Sequence, residues 1–154
     1  MKDKRILYVS SEVVPYLPET EISSASFEAP RLVNQQGGQI RIFMPRYGNI
    51  NERRHQLHEV IRLSGINLVI NDLDMPLIET VKKLNWAPDI IHVHGWLAAL
   101  LPLYLKEYYK DEPLFNESKI VTSIYNQSFD GTLNKDMVNK IKFDNIDDDA
   151  IKTL

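Results

Sequence analysis

The sequence predicts an α/β fold: a Rossmann-like three-layer sandwich around a mainly parallel sheet. Three observations predict it. Short apolar runs of strand length alternate with longer segments whose apolar residues recur at helical spacing. The first run, Ile6-Leu7-Tyr8-Val9, is continuously apolar, as strands buried on both faces of a parallel sheet are. A later run, Pro88 to Trp96, reads Pro-Asp-Ile-Ile-His-Val-His-Gly-Trp. It places polar side chains just past a strand's carboxyl end, where open α/β sheets bind their ligands.

The elements follow in order. Ile6 to Val9 is the first strand, and Ser10 to Ile22 is a loop punctuated by Pro15 and Pro18. Ser23 to Gln36 reads as a helix with Ala25, Ala29, Leu32 and Val33 as its apolar stripe and Ser23, Ser24 or Ser26 as cap. Pro30 fits its first turn if Ser26 caps it and otherwise kinks it. Gly37-Gly38 stops the helix. Gln39 to Met44 is a second strand with Ile40, Ile42 and Met44 on one face, and Pro45 to Asn49 is a tight loop. Asn51 to Gln56 reads as a short charged helix. Leu57 to Leu63 and Ile66 to Ile70 read as a hairpin joined at Ser64-Gly65. Leu77 to Trp86 is a helix, Asp89 to His94 a strand, and Leu97 to Tyr109 an apolar helix that holds Pro102 early. Lys119 to Ile124 is the last strand. Asn134 to Phe143 reads as a helix, and Asp147 to Asp149 as a solvated acidic tail.

The bulk properties narrow the function. A chain of 154 residues predicts one domain with room for a sizeable core. Its net charge of -3 supplies no basic field, so neither nucleic acid nor an anionic membrane is an expected partner. There is no cysteine, which excludes disulfides and thiolate metal sites. The apolar run Ile6 to Val14 is broken by Ser10, Ser11 and Glu12, so it is too short for a signal h-region, and it lacks a small-residue cleavage site. No stretch reaches membrane-spanning length. The expected compartment is the cytoplasm.

The candidate site centres on the histidine strand. Strand residues alternate faces, so His92 and His94 point one way and Val93 the other. Gly95 lets the backbone turn. The paired rings suit a metal, but no third ligand lies nearby in sequence, and His55 and His58 read as distant surface residues. The competing role for His92 is packing, with one hydrogen bond satisfied. Trp96 is placed either to stack on a sugar ring or to seal the core. Arg46 and Tyr47 are placed either to bond hydroxyls or to build a turn. Ser10, Ser11 and Glu12 follow the first strand, at a ligand-facing position. Without glycines there, a nicotinamide or flavin site is excluded, and no cofactor is expected. Glu19 and Glu21 read as solvated loop carboxylates rather than an acid/base pair.

Three stretches together resemble one family. Arg5 to Pro15 reads Arg-Ile-Leu-Tyr-Val-Ser-Ser-Glu-Val-Val-Pro, Arg41 to Ile50 reads Arg-Ile-Phe-Met-Pro-Arg-Tyr-Gly-Asn-Ile, and Pro88 to Trp96 is the third. In this order they resemble the N-terminal domain of bacterial glycogen synthases and plant starch synthases, up to about Asn126. The resemblance implies one lobe of a two-lobed retaining glycosyltransferase that passes glucose from ADP-glucose to an α-1,4-glucan. It implies that residues 1–154 form a single N-terminal lobe and that the C-terminal donor-binding lobe is absent from them. It also makes His94, the candidate catalytic residue, a neighbour of the transferred sugar, and marks Gly95, Trp96, Tyr47, Asn126 and Glu12 as substrate contacts.

The departures are as informative. Where the family carries Lys-Thr-Gly-Gly-Leu to hold the donor diphosphate, this chain has Pro18-Glu19-Thr20-Glu21-Ile22. The lysine and both glycines are gone and two carboxylates have arrived, so a diphosphate meets like charge and a stiffer backbone. The acidic family residue just beyond is Ser24. The family's Thr-Ile-His-Asn becomes Ser123-Ile124-Tyr125-Asn126. A long family stretch is short here, near Pro76 to Thr80. The expected partners are an α-glucan or maltooligosaccharide, ADP-glucose held weakly, and a partner chain supplying a donor-binding lobe. The alternative is a non-catalytic glucan-binding or regulatory lobe that pairs with an active synthase. A third reading is a small-anion site at the Ser10-Ser11 turn.

Overall fold

The computed structural model describes residues 2–59, 76–95, 100–125 and 146. Seven elements follow in the order β1 (Arg5–Ser10), α1 (Glu21–Gln35), β2 (Gln39–Phe43), α2 (Pro76–Lys83), β3 (Ile90–His94), α3 (Leu101–Glu107) and β4 (Lys119–Ser123). The class is α/β, as the alternation of patterns predicts. The four strands form one all-parallel sheet in the order β2-β1-β3-β4. Parallel neighbours need crossovers of a dozen residues or more, which the helical segments between strands provide.

Two compact units divide the chain. One holds the whole sheet and α1; the other holds α2 and α3. In the first, consecutive residues Ile6, Leu7 and Tyr8 of β1 are all buried, so both faces of that strand are covered. Ile91 and Val93 of β3 are buried on one face, and His94 is buried on the other. The flanking strands β2 and β4 are more exposed, with Arg41 and Ile42 of β2 and Val121 and Thr122 of β4 open to solvent, as is Ile124 just past β4. Asp89 ties the amino ends of β1 and β3 together. Its carboxylate accepts from the Arg5 amide at 2.7 Å and pairs with Lys4 at 3.3 Å. The Arg5 amide is the main reason its pKa falls below the usual carboxylate value.

Helix α1 begins earlier than its serines suggest. Thr20 is the N-cap: its hydroxyl accepts from the Ser23 amide at 3.0 Å, and the Ser23 hydroxyl accepts from the Thr20 amide at 2.7 Å. This reciprocal capping box satisfies two amides at once, which corrects the expectation of a serine cap. Pro30 therefore lies inside the helix, buried, and not in its first turn. Gly37, at φ +80°, ends the helix with its amide on Asn34.

In the second unit, Ile78 and Val81 of α2 and Leu101, Leu103, Tyr104 and Leu105 of α3 are buried. Lys82 pairs with Glu79 and Glu112, each at 3.1 Å. Pro102 lies in the first turn of α3, where its missing amide costs nothing. Asn51 to Gln56 forms turns and not a helix: Gln56 takes φ +52°, and the Leu57 amide reaches back to Glu52. Residues 57–59 are not strand. The hairpin expected through Ile70, the start of the helix expected at Leu97, and the helix expected at Asn134 to Phe143 lie outside the described residues, as does the acidic tail.

Candidate functional site

The strand order places the site. The chain runs from β1 outward to β2, then returns across β1 to lay down β3. The order therefore reverses between β1 and β3, and the carboxyl ends of those strands form a topological switch point, where open α/β sheets hold ligands. Ser10 and His94 are the last residues of the two strands and stand in register as neighbours.

Register also decides which side chains share a face. Tyr8 pairs with His92, Ser10 with His94, and His94 with Ser123. The period of two puts Tyr8, Ser10, His92, His94 and Ser123 on one face. Their rings touch. The His92 and His94 centroids are 4.1 Å apart, and Tyr8 stacks on His94 at 4.2 Å with planes 27° apart. His92 Nε2 lies 2.9 Å from the Ser123 hydroxyl. His94 Nδ1 lies 2.7 Å from the Tyr125 hydroxyl and 3.3 Å from that of Tyr8. His94 is only 3% exposed, and its Nε2 has no hydrogen-bond partner among the described residues.

Burial sets the charge of this cluster. It lowers the His94 pKa to about 4, with the neighbouring His92 adding to the effect. Burial likewise lowers the pKa of His92. Both rings are neutral at pH 7. Tyr8 is pushed well above the ordinary phenol value, chiefly by burial, and Tyr125 is raised by burial and then by the charge of Glu21. A neutral imidazole among neutral phenols suits an uncharged, hydroxyl-rich ligand better than an anion.

Gly95 follows at φ +73°. A Cβ there would meet the Ile22 side chain of α1 at 3.3 Å. The turn after β3 thus needs glycine both for its left-handed backbone and for the close approach of α1.

The loop after β1 is tied to the start of α1. Ser10 Oγ accepts from the Ser26 hydroxyl at 2.8 Å and from the Glu12 amide at 3.3 Å, and donates to the Glu12 carbonyl at 3.0 Å. Its hydrogen-bonding capacity is filled and it is buried. The Thr20 hydroxyl donates to the Glu12 carboxylate at 2.8 Å while accepting from Ser23. Glu12 also lies near enough to Tyr47 to raise its pKa, second to burial. Beyond β1 and β2 an open groove of about 760 Å³ is lined by Val13, Tyr16, Ile42, Met44, Arg46 and Glu52, among others. The Arg46 guanidinium is bound to Glu52 there.

Set beside known proteins, the chain matches the model of the starch synthase catalytic domain over residues 5–76 and 73–154. The chain belongs to the starch synthase catalytic domain family. It is 29% identical to a glycogen synthase of Chlorobium luteolum across 86% of this chain and 38% of that protein. A glycogen synthase of Chlorobium limicola is 28% identical across 84% of this chain and 37% of its own length. One of Chlorobium phaeovibrioides is 27% identical across 92% and 40%. The chain thus spans about two-fifths of the length of these relatives. No solved structure gave a significant match. The C. luteolum alignment runs over 184 residues, more than this chain possesses, so the relative carries residues that are missing here. The two matched segments meet at residues 73–76, beside the place where the starch synthase pattern is shortened.

Within this starch synthase domain, the expected residues fall into two groups. His94 and Gly95 come together with Ser10 at the switch point. Glu12 and Tyr47 approach one another at the loop between β1 and α1, and Arg46 lies on the groove. Trp96 and Asn126 lie outside the described residues. Glu19 and Glu21 are exposed, as the solvated reading has it. Among the described residues, no three histidine, aspartate or glutamate side chains stand together as a metal site. Tyr8 is the member of the cluster that the sequence reading passed over. Its signal was a tyrosine two residues before Ser10 on a strand that otherwise reads as core.

Proposed function

We propose that this chain serves α-1,4-glucan synthesis as the glucan-facing N-terminal lobe of a glycogen synthase-like glycosyltransferase, and that it does not transfer glucose by itself. Residues 1–154 would correspond to one lobe, with donor binding supplied by a second lobe in the same protein or a partner chain. The whole-protein reaction, glucosyl transfer from ADP-glucose with retention, is the one that the resemblance implies. We place it in the cytoplasm. No helix among the described residues is long and apolar enough to cross a membrane.

One observation carries the reading. The segment that aligns with the family's diphosphate loop is built as an ordinary helix cap. Thr20 and Ser23 close the first turn of α1 on itself, and Glu12 takes the Thr20 hydroxyl. A phosphate approaching that helix start would find capped amides and the carboxylates of Glu12, Glu19 and Glu21. The Ser10 hydroxyl, the other anion candidate, is already saturated. The neutral histidine and tyrosine cluster at the switch point is unaffected by these losses and supports a sugar contact.

The test is direct. Purified protein incubated with ADP-glucose and maltooligosaccharide is expected to give no chain extension, while calorimetry is expected to register the oligosaccharide and no heat from ADP-glucose. Measurable extension would show that the chain is an enzyme on its own. Heat from ADP-glucose or free nucleotides would restore an anion site near Ser10 and Thr20.

A further inference from the structure

Tyr125 stands where the starch synthase pattern has histidine, and its hydroxyl makes the closest polar contact to His94, 2.7 Å from Nδ1. We propose that Tyr125 is a positioning residue that fixes the tautomer of His94, donating its hydroxyl proton to Nδ1 so that the ring carries its own proton on the buried, unpartnered Nε2. The consequence is a neutral N–H donor aimed at a ligand oxygen, which under the glucan reading above is a sugar hydroxyl.

The direction of the bond follows from acidity. A phenol is a stronger donor than a neutral imidazole N–H, and an imidazole nitrogen is a far stronger acceptor than a phenol oxygen. O–H···N is therefore favoured over N–H···O. The bond requires a bare Nδ1, and in a neutral ring the proton then sits on Nε2. The low pKa of His94 keeps the ring neutral at pH 7, so the doubly protonated form does not compete.

Tyr8 is not an equal rival for Nδ1. Its ring stacks on the imidazole, and its hydroxyl lies 3.3 Å from Nδ1 against 2.7 Å for that of Tyr125. Its proton has another acceptor in the Ala25 carbonyl of α1, at 3.4 Å. Tyr8 and His92 instead hold the faces of the His94 ring, at 4.2 and 4.1 Å. Together the three aromatic neighbours fix where Nε2 points, and Tyr125 fixes what it carries. Nε2 meets no acceptor among the described residues, so the donor is left for a ligand.

The test reads the tautomer itself. In protein labelled with ¹⁵N at histidine, long-range proton–nitrogen correlation distinguishes an Nε2-protonated ring from an Nδ1-protonated one. Wild-type His94 is expected to show the Nε2–H pattern. Tyr125→Phe, which keeps the half-buried ring and removes only the hydroxyl, is expected to give a mixture or the Nδ1–H pattern. Tyr8→Phe is expected to leave the wild-type pattern in place. An Nδ1–H pattern in the wild type, or no change in Tyr125→Phe, would overturn the proposal. Maltooligosaccharide titration separates this from the functional reading. Tyr125→Phe is expected to raise Kd several-fold, and an unchanged Kd would remove the donor role. Absence of binding by the wild type would refute the glucan reading and leave the tautomer result to stand on its own spectrum.

Discussion

His94 is held neutral at a position where exposed histidine would be partly charged. Its folded pKa, about 4, lies below the value near 6.5 that an unfolded histidine has. Between those two values the unfolded chain binds more protons, so stability is full above about pH 6.5 and is lost as the pH falls through about 4. The full shift corresponds to about 3–4 kcal/mol. Urea unfolding at pH 7 and pH 4.5 should show this loss, and His94→Phe should flatten it. His92 is shifted in the same direction by burial and leaves a residual slope in that variant. Gly95 gives a second prediction at this scale. Gly95→Ala must hold φ +73° and crowd Ile22, at a cost of about 1–2 kcal/mol from the left-handed backbone. A fall in the urea midpoint with unchanged slope would report it.

Among the elements, α1 shows what a pattern of residues conveys and what it leaves open. Its glycine stop could be read directly, but its buried face is Ile22, Ser23, Ser26 and Pro30, whereas Leu32 of the expected stripe Ala25, Ala29, Leu32 and Val33 is exposed. Its start could not be read, because three serines offered themselves as caps. The choice fell to Thr20, the one residue whose amide and hydroxyl both find partners on Ser23, with Glu12 bracing the hydroxyl from the preceding loop. Thr20→Ala should destabilise the fold by about 1 kcal/mol, and Thr20→Ser should recover most of it. If Thr20→Ala were neutral by denaturant titration, the capping box would not be what closes this helix start. The strands were legible because β1 is a continuous apolar run and β3 carries Ile91 and Val93 on one face. The segment Asn51 to Gln56 misled because it reads as a short charged helix while Gln56 adopts a left-handed backbone, which composition does not reveal.

For the whole molecule, the strand order gives the histidines their meaning. Alternation along β3 was enough to pair His92 with His94, but Tyr8 joins them only through the register of β1 against β3, and Tyr125 through the pairing of β4. Contacts between distant strands have no local signature, so half of the cluster was invisible along the chain. The departure of Pro18-Glu19-Thr20-Glu21-Ile22 from the family's phosphate-loop pattern was visible in the sequence, since it is a matter of residue type. What stands there instead, a closed cap backed by Glu12, was not. Under the proposed function, the lobe keeps the sugar side of a transferase cleft and lacks its phosphate side. Calorimetric titration with an α-1,4-linked maltoheptaose, against a β-1,4-linked cello-oligosaccharide of similar length, tests that claim most directly. Saturable heat from the α-linked sugar alone is the predicted result; no heat from it, or equal heat from both, would contradict the account.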